Sequence, residues 1–218
     1  MAEPLLSQII RNQTEASMIG AICAGNTSLF HDLIRPYEVS AYKVAFCLLR
    51  NEADAEDVVQ EAFLKSFQNL TKFRIESGFG TWLIGIVLNE ARERSRKKKR
   101  TPMNSINEEI KASTSIATPV DQRGLPSQHF EQKETAALLS QAVFSLPESY
   151  REMFMLRMVE GWSVKDSAQI LSIDLSTAKA RLHTARRMLQ GKSSTGSARI
   201  SAVRRNSNTE PSLTAGSK

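Results

Sequence analysis

The sequence is poor in cysteine and histidine, with two cysteines, Cys23 and Cys47, and three histidines, His31, His129 and His183. Neither cysteine has a CxxC or Cys/His neighbourhood, which excludes a disulfide framework and a structural zinc site. Each is flanked by apolar residues (Ile22 and Ala24; Phe46 and Leu48) and reads as a small buried hydrophobe in a reducing, cytosolic setting. The histidines are scattered and make no ligand set. No apolar run approaches the roughly 18 residues of a membrane span, and Met1 to Ser17 is too polar for a signal peptide. The expectation is a soluble, cytoplasmic chain without membrane insertion. There is no glycine-rich phosphate loop, nucleophile constellation or carboxylate pair placed for acid/base work. A non-enzyme with no catalytic site, no metal and no cofactor is therefore expected.

What the chain does contain is apolar residues enough for packed cores, 41% of the total, which argues against wholesale disorder. Its 29 Lys and Arg against 23 Asp and Glu give a formal charge of +6, favouring a polyanionic partner. Composition divides the 218 residues. Residues 1–25 form an N-terminal extension and 26–100 a helical unit with short breaks. Residues 101–129 are rich in Ser, Thr, Pro and Asn and read as a linker. Helical pattern resumes over 130–190, and 191–218 is a Ser/Gly/Thr-rich stretch read as a disordered tail. Nothing alternates as strands do. The fold class is all-α, two small helical bundles joined by a flexible linker.

In the first bundle, Tyr37, Ala41, Val44, Ala45, Leu48 and Leu49 make one apolar stripe at helical spacing. Asp54 is the expected N-cap of the next helix, in which Val59, Phe63 and Phe67 step inward and Asp57, Gln60, Glu61 and Lys65 lie on other faces. Phe73-Arg74 leads through a flexible loop with Gly78 and Gly80 into a helix from Thr81. Its apolar part is Trp82, Leu83, Ile86 and Val87, and it turns basic at Arg92, Arg94, Arg96, Lys97, Lys98, Lys99 and Arg100. That run is longer than capping of the helix dipole requires. Spacing alone leaves two readings, a phosphate-binding helix end beside base-stacking aromatics or a solvated charge run.

In the second bundle, Leu146-Pro147 starts a helix with Tyr150, Phe154 and Met158 on one face, ending at Gly161. Ser163, with Asp166 as capping partner, starts a helix over Val164 to Leu171. Ser176 is the expected cap of the next, in which Ala178, Leu182, Ala185 and Leu189 face inward. Thr177, Lys179, Arg181, His183, Thr184, Arg186 and Arg187 face outward. Two short helices with a tight turn, the second presenting polar and basic residues, form a helix-turn-helix.

Four stretches, NEADAEDVVQEAFLKSF, FGTWLIGIVLNEARERSRKKKR, SLPESYREMFMLRMVEGWSVKDSAQIL and STAKARLHTARRML, in this order resemble the extracytoplasmic-function branch of the sigma-70 family of RNA polymerase sigma factors. The resemblance spans about Phe30 to Arg100 and Glu131 to Gln190. It implies a promoter-specificity subunit that binds core RNA polymerase, recognises the minus-35 and minus-10 elements and promotes melting. Asp57, Gln60 and Glu61 match the acidic helix that docks on the clamp coiled coil of the beta-prime subunit. Phe73, Phe79, Thr81, Trp82, Asn89, Arg92, Glu93 and Arg96 map to the minus-10 segment. Ser176, Thr177, Lys179, Arg181, Thr184, Arg186 and Arg187 map to the minus-35 reader, with Arg181 the base-edge candidate and Arg186 and Arg187 on phosphates. An anti-sigma factor is the further partner implied.

The chain departs from the family pattern at Asp166-Ser167-Ala168 (usually Glu-Ile-Ala), at Ser172, where glycine is common, and at Ala178 and Ala180 in the recognition helix. Promoter preference is therefore not transferable. The rival readings are a polymerase-independent helix-turn-helix regulator, a nucleic-acid-modifying enzyme, and a decoy that occupies polymerase or an anti-sigma factor. Polymerase co-purification and DNA binding separate them.

Overall fold

The structure, a computed structural model, describes residues 3–74, 78–100 and 140–206. The linker at 101–129, the onset of the second helical segment at Phe130 and the end of the tail lie outside the described residues. Helix α1 spans Glu3–Cys23, α2 Leu29–Ile34, α3 Glu38–Leu49, α4 Glu52–Gln68 and α5 Phe79–Arg100. A short α6 covers 140–144. It is followed by α7 (Glu148–Phe154), a π-helical turn (Met155–Val159), α8 (Val164–Leu171) and α9 (Leu175–Asn206). Short 3₁₀ turns, Arg35–Tyr37 and Leu70–Lys72, flank the first bundle's long helices. Among the described residues there is no strand, as expected of an all-α chain.

The α3 stripe is where the spacing puts it: Tyr37, Ala41, Val44, Ala45 and Leu48 are buried. Arg50 ends α3 in the left-handed region (φ 55°). The cap of α4 is Asn51, whose side-chain oxygen accepts from the Asp54 amide at 2.8 Å; Asp54, the expected cap, instead faces α5. The buried face of α4 is Ala55, Val58, Ala62 and Ser66. Its small side chains let α4 lie close against α3 and α5, so the larger Val59 and Phe63 sit half-buried at the margins. Phe67 is 38% exposed and meets Phe30 edge-on at 5.0 Å.

Helix α5 starts two residues earlier than expected, and Gly80 lies in its first turn. A Cβ at Gly80 would overlap the Tyr37 ring and lie 2.9 Å from the Trp162 indole. Glycine is required there by close approach, not by loop flexibility. Phe79, Leu83, Ile84, Val87, Leu88 and Ala91 are all buried on α5.

In the second bundle Pro147 precedes the first helical residue, Glu148. The π turn widens the helix and rotates the following side chains. Met153, Met155 and Leu156 are buried, while Met158, expected on the inner stripe, is rotated outward and 46% exposed. Ser163 caps α8 as expected, accepting from the Asp166 amide at 3.0 Å and donating to its carboxylate. Ser172 ends α8 in the left-handed region (φ 55°), the conformation for which glycine is the usual residue. Helix α9 continues through Gly191, where the sequence suggests a tail, to Asn206.

The two bundles share one apolar core, running from Ala41, Val44, Phe46 and Leu88 to Phe144, Met153, Leu156, Ile170 and Leu182. Cys47 is buried within it, and burial pushes its thiol up to about 12. Cys23, expected to be buried, is exposed as the last residue of α1. Helix α1 is pinned through Glu15, which accepts a 2.5 Å hydrogen bond from the Tyr37 hydroxyl. Burial, and then Glu15, raise the Tyr37 phenol above its ordinary value.

Candidate functional site

Three surfaces carry the residues singled out from the sequence. On α4, Asp57, Gln60 and Glu61 are all exposed, on consecutive turns. Their neighbours organise them without covering them. Arg94 donates to Asp57 at 3.0 Å, and Lys65 bridges Glu61 at 3.5 Å and Glu90 at 2.7 Å. The result is a solvent-facing acidic face on a firmly packed helix.

The basic end of α5 is less free than its sequence suggests. Arg94 and Lys98 both reach Asp54, at 2.9 and 2.8 Å, and Lys97 pairs with Glu93 at 2.9 Å. Lys99 reaches Glu148 of the second bundle at 3.2 Å. Burial alone would raise the Asp54 carboxyl, but hydrogen bonds from Lys98 and Arg94 outweigh it and hold it below the usual carboxylate range. Such a group stabilises the fold above its unfolded-state pKa of about 3.9, and the contribution is lost as pH falls through the depressed native value. Asp54→Asn is therefore expected to lower the urea midpoint at neutral pH. The gap to the unaltered chain should close as the pH falls below the depressed native value; a gap that persists in strong acid would contradict the ion-pair assignment.

The aromatic residues mapped to the minus-10 segment do come together. Phe73 lies 5.2 Å from Trp82 and 5.8 Å from Phe79, and Phe79 lies 5.8 Å from Trp82. They are not equally accessible: Phe79 is 1% and Thr81 6% exposed, so both are core residues here, whereas Phe73 and Trp82 are half-buried. Asn89, Glu93 and Arg96 form an exposed stripe further along α5. Arg92 departs from that stripe. Its Nε and Nη2 donate to the two oxygens of Glu152 at 2.8 and 2.7 Å.

The third surface is the outer face of α9. Ser176, Lys179, Arg186 and Arg187 are exposed, and Thr177, Arg181 and Thr184 half-exposed, while Ala178, Leu182 and Ala185 are buried. The α9 cap is Asp174, not Ser176. Its carboxylate accepts from the Thr177 amide at 2.8 Å and from the Ser176 and Thr177 hydroxyls at 2.6 and 2.5 Å. Those hydrogen bonds, from Ser176 first, hold Asp174 far below the usual carboxylate range. Three residues therefore escaped sequence reasoning: Asp174, Trp162 and Glu152. Asp174 was signalled by its place three residues before Thr177. Trp162 and Glu152 act across the two bundles, and no local pattern marks such contacts.

Comparison with known proteins shows the family. The chain matches the family models Sigma-70 region 2 over residues 33–101 and Sigma-70, region 4 over residues 130–189. It is 30% identical to the ECF RNA polymerase sigma factor SigW of Bacillus subtilis, over 76% of this chain and 89% of that protein. It is also 30% identical to the ECF RNA polymerase sigma-E factor of Haemophilus influenzae, over 82% and 95%. Among solved structures, the sigma factor RpoE in complex with the anti-sigma factor NepR from Bartonella quintana is 27% identical with a TM-score of 0.54, covering 74% of this chain and 94% of that one. CnrH, solved with the cytosolic domain of CnrY, shares the fold at 21% identity with a TM-score of 0.60, covering 82% and 96%. The chain belongs to the ECF RNA polymerase sigma factors, its first bundle built on region 2 and its second on region 4.

Proposed function

We propose that this sigma factor divides its work among the three surfaces. The acidic face of α4, with Asp57, Gln60 and Glu61, docks on the clamp coiled coil of the polymerase beta-prime subunit. The Trp82 end of α5 captures an unstacked base of the minus-10 element against Phe73, with Phe79 and Thr81 beneath, while Asn89, Arg92, Glu93 and Arg96 follow the strand. Helix α9 enters the major groove at the minus-35 element. There Arg181 makes a bidentate contact to guanine, Ser176, Thr177, Lys179 and Thr184 lie at its sides, and Arg186 and Arg187 hold phosphates. Melting is driven by binding energy, without a catalytic centre or cofactor, in the cytoplasm. The linker at 101–129 spans the two elements. The complex of the sigma factor RpoE with the anti-sigma factor NepR supports an anti-sigma factor as a further partner.

The observation that carries this reading is that the polar faces of α4 and α9 both stand clear of the shared core. A triple substitution, Asp57→Ala, Gln60→Ala and Glu61→Ala, is expected to weaken binding to core polymerase by about tenfold to a hundredfold with an unchanged circular dichroism spectrum. Binding at the level of the unaltered chain would remove α4 from the polymerase contact.

A further inference from the structure

We infer that Asp174 sets the hydrogen-bonding sense of the start of α9: it holds the protons of Ser176 and Thr177, leaving their hydroxyls to accept from a base amino group. This role rests on the proposed contact of α9 with the minus-35 element. Ser176 donates to one carboxylate oxygen of Asp174 at 2.6 Å, and Thr177 donates to the other at 2.5 Å. The first oxygen also accepts the Thr177 amide at 2.8 Å. The same bonds hold Asp174 far below the usual carboxylate range, so it is ionised at neutral pH. An ionised carboxylate only accepts, and each hydroxyl must therefore be the donor. Its single proton is occupied, and two lone pairs remain. The backbone fixes this arrangement. Ser172 turns the chain through the left-handed region, the Ile173 amide donates to the Ala168 carbonyl at 3.0 Å, and the Ala178 amide donates to the Asp174 carbonyl at 3.0 Å.

The first residues of a recognition helix are those that reach base edges, and Ser176 and Thr177 stand there exposed and half-exposed. In the major groove adenine and cytosine offer an amino donor, whereas guanine and thymine offer only acceptors to hydrogen bonding. The free lone pairs of the two hydroxyls match the amino group. Turning a proton toward guanine or thymine would exchange a charge-assisted bond for a neutral one about half as strong. Every base pair carries one amino group in this groove, so the choice is which strand bears it. The strand within reach is read as adenine or cytosine against guanine or thymine. Phosphate, a common partner of serine and threonine, is disfavoured for the same reason: its oxygens only accept, and the neighbouring carboxylate repels it. Arg181, one turn further along α9, only donates. The helix thus carries an accepting end and a donating centre, with Asp174 a positioning residue that itself touches no DNA.

The test is selection of initiating promoters from a library randomised over the minus-35 element, by core polymerase carrying the unaltered full-length chain, Asp174→Asn or Thr177→Val. At the base pair that Thr177 reads, the unaltered chain is expected to favour adenine or cytosine on one strand by about fivefold to a hundredfold. Asparagine caps a helix as well as aspartate does, and its oxygen keeps the bond to the Thr177 amide. Its NH₂ group then replaces the oxygen that held the Thr177 hydroxyl proton. That proton becomes available to guanine or thymine, so Asp174→Asn should lose the preference at this base pair and keep the guanine that depends on Arg181. A merely structural cap would weaken all promoters alike; such a uniform loss would overturn the inference, as would an unchanged preference. Thr177→Val removes the hydroxyl with the carboxylate intact and should lose the same preference at the same base pair. It carries the test if circular dichroism shows that the asparagine variant does not fold. Loss of a preference for guanine or thymine in the valine variant would reveal a donating hydroxyl and overturn the inference. The two readings fail separately. If Arg181→Ala alters selection at no minus-35 base pair, the minus-35 reading falls; if it alters one and the changes at 174 and 177 shift no other, only the role of Asp174 falls.

Discussion

Truncating Leu88 to alanine is expected to lower the unfolding free energy by about 3–4 kcal/mol. Leu88 is fully buried in the core that α5 shares with α3, α4 and the second bundle. Alanines 41, 45, 62 and 91 line the same cluster, so the helices are already in close contact and have little room to collapse into the void. The lost transfer energy and the cavity then add. At this chain length the loss corresponds to a fall in the melting temperature of roughly 10 °C. Asn89→Ala, on the exposed side of the same helix turn, should stay within about 0.5 kcal/mol of the unaltered chain. Urea titration of both variants gives the comparison. A Leu88 effect below about 1 kcal/mol would mean that α5 is not the shared wall of the two bundles.

The second large effect is expected at Arg181. Its place on the outer face of α9, between Lys179 and Thr184, suits a bidentate contact to guanine, worth about 1–3 kcal/mol of discrimination. Arg181→Ala is therefore expected to cut initiation about tenfold to a hundredfold at promoters carrying the preferred minus-35 base pair. Promoters altered at that base pair should change little, so the variant is relaxed as well as weakened. Arg187→Ala should instead weaken all promoters alike and lessen the salt dependence of binding, as loss of a phosphate contact does. Run-off transcription from paired templates separates the two patterns. A uniform loss for Arg181→Ala would move it from base reading to backbone contact.

Much of this was legible in the chain because local rules and tertiary packing agree. The α3 stripe from Tyr37 to Leu48 and the Ser163–Asp166 capping box are recovered because each is decided within a few residues. The misreadings have physical causes. Asn51 and Asp54, or Asp174 and Ser176, are alternative caps within one turn, and only the backbone path chooses between them. The π turn at Met155–Val159 breaks the 3.6-residue period, which brings Met158 to the surface. Small residues on α4 draw its packing seam away from Phe67. Gly80 looks like a hinge but is a contact point with Tyr37 and Trp162. The Arg92–Glu152 pair joins residues 60 positions apart, across a linker, so the basic run of α5 gave no sign that one of its arginines faces inward. The three surfaces were found from the family resemblance and residue polarity; the pairing of Arg92 with Glu152 of the other bundle was not.

The most direct test of the account is run-off transcription with bacterial core polymerase, this chain and a promoter library, with permanganate probing of opened thymines. The account predicts initiation from a subset of promoters sharing minus-35 and minus-10 sequences, with strand opening that depends on the added chain. Core polymerase that binds the chain but never opens a promoter would contradict it.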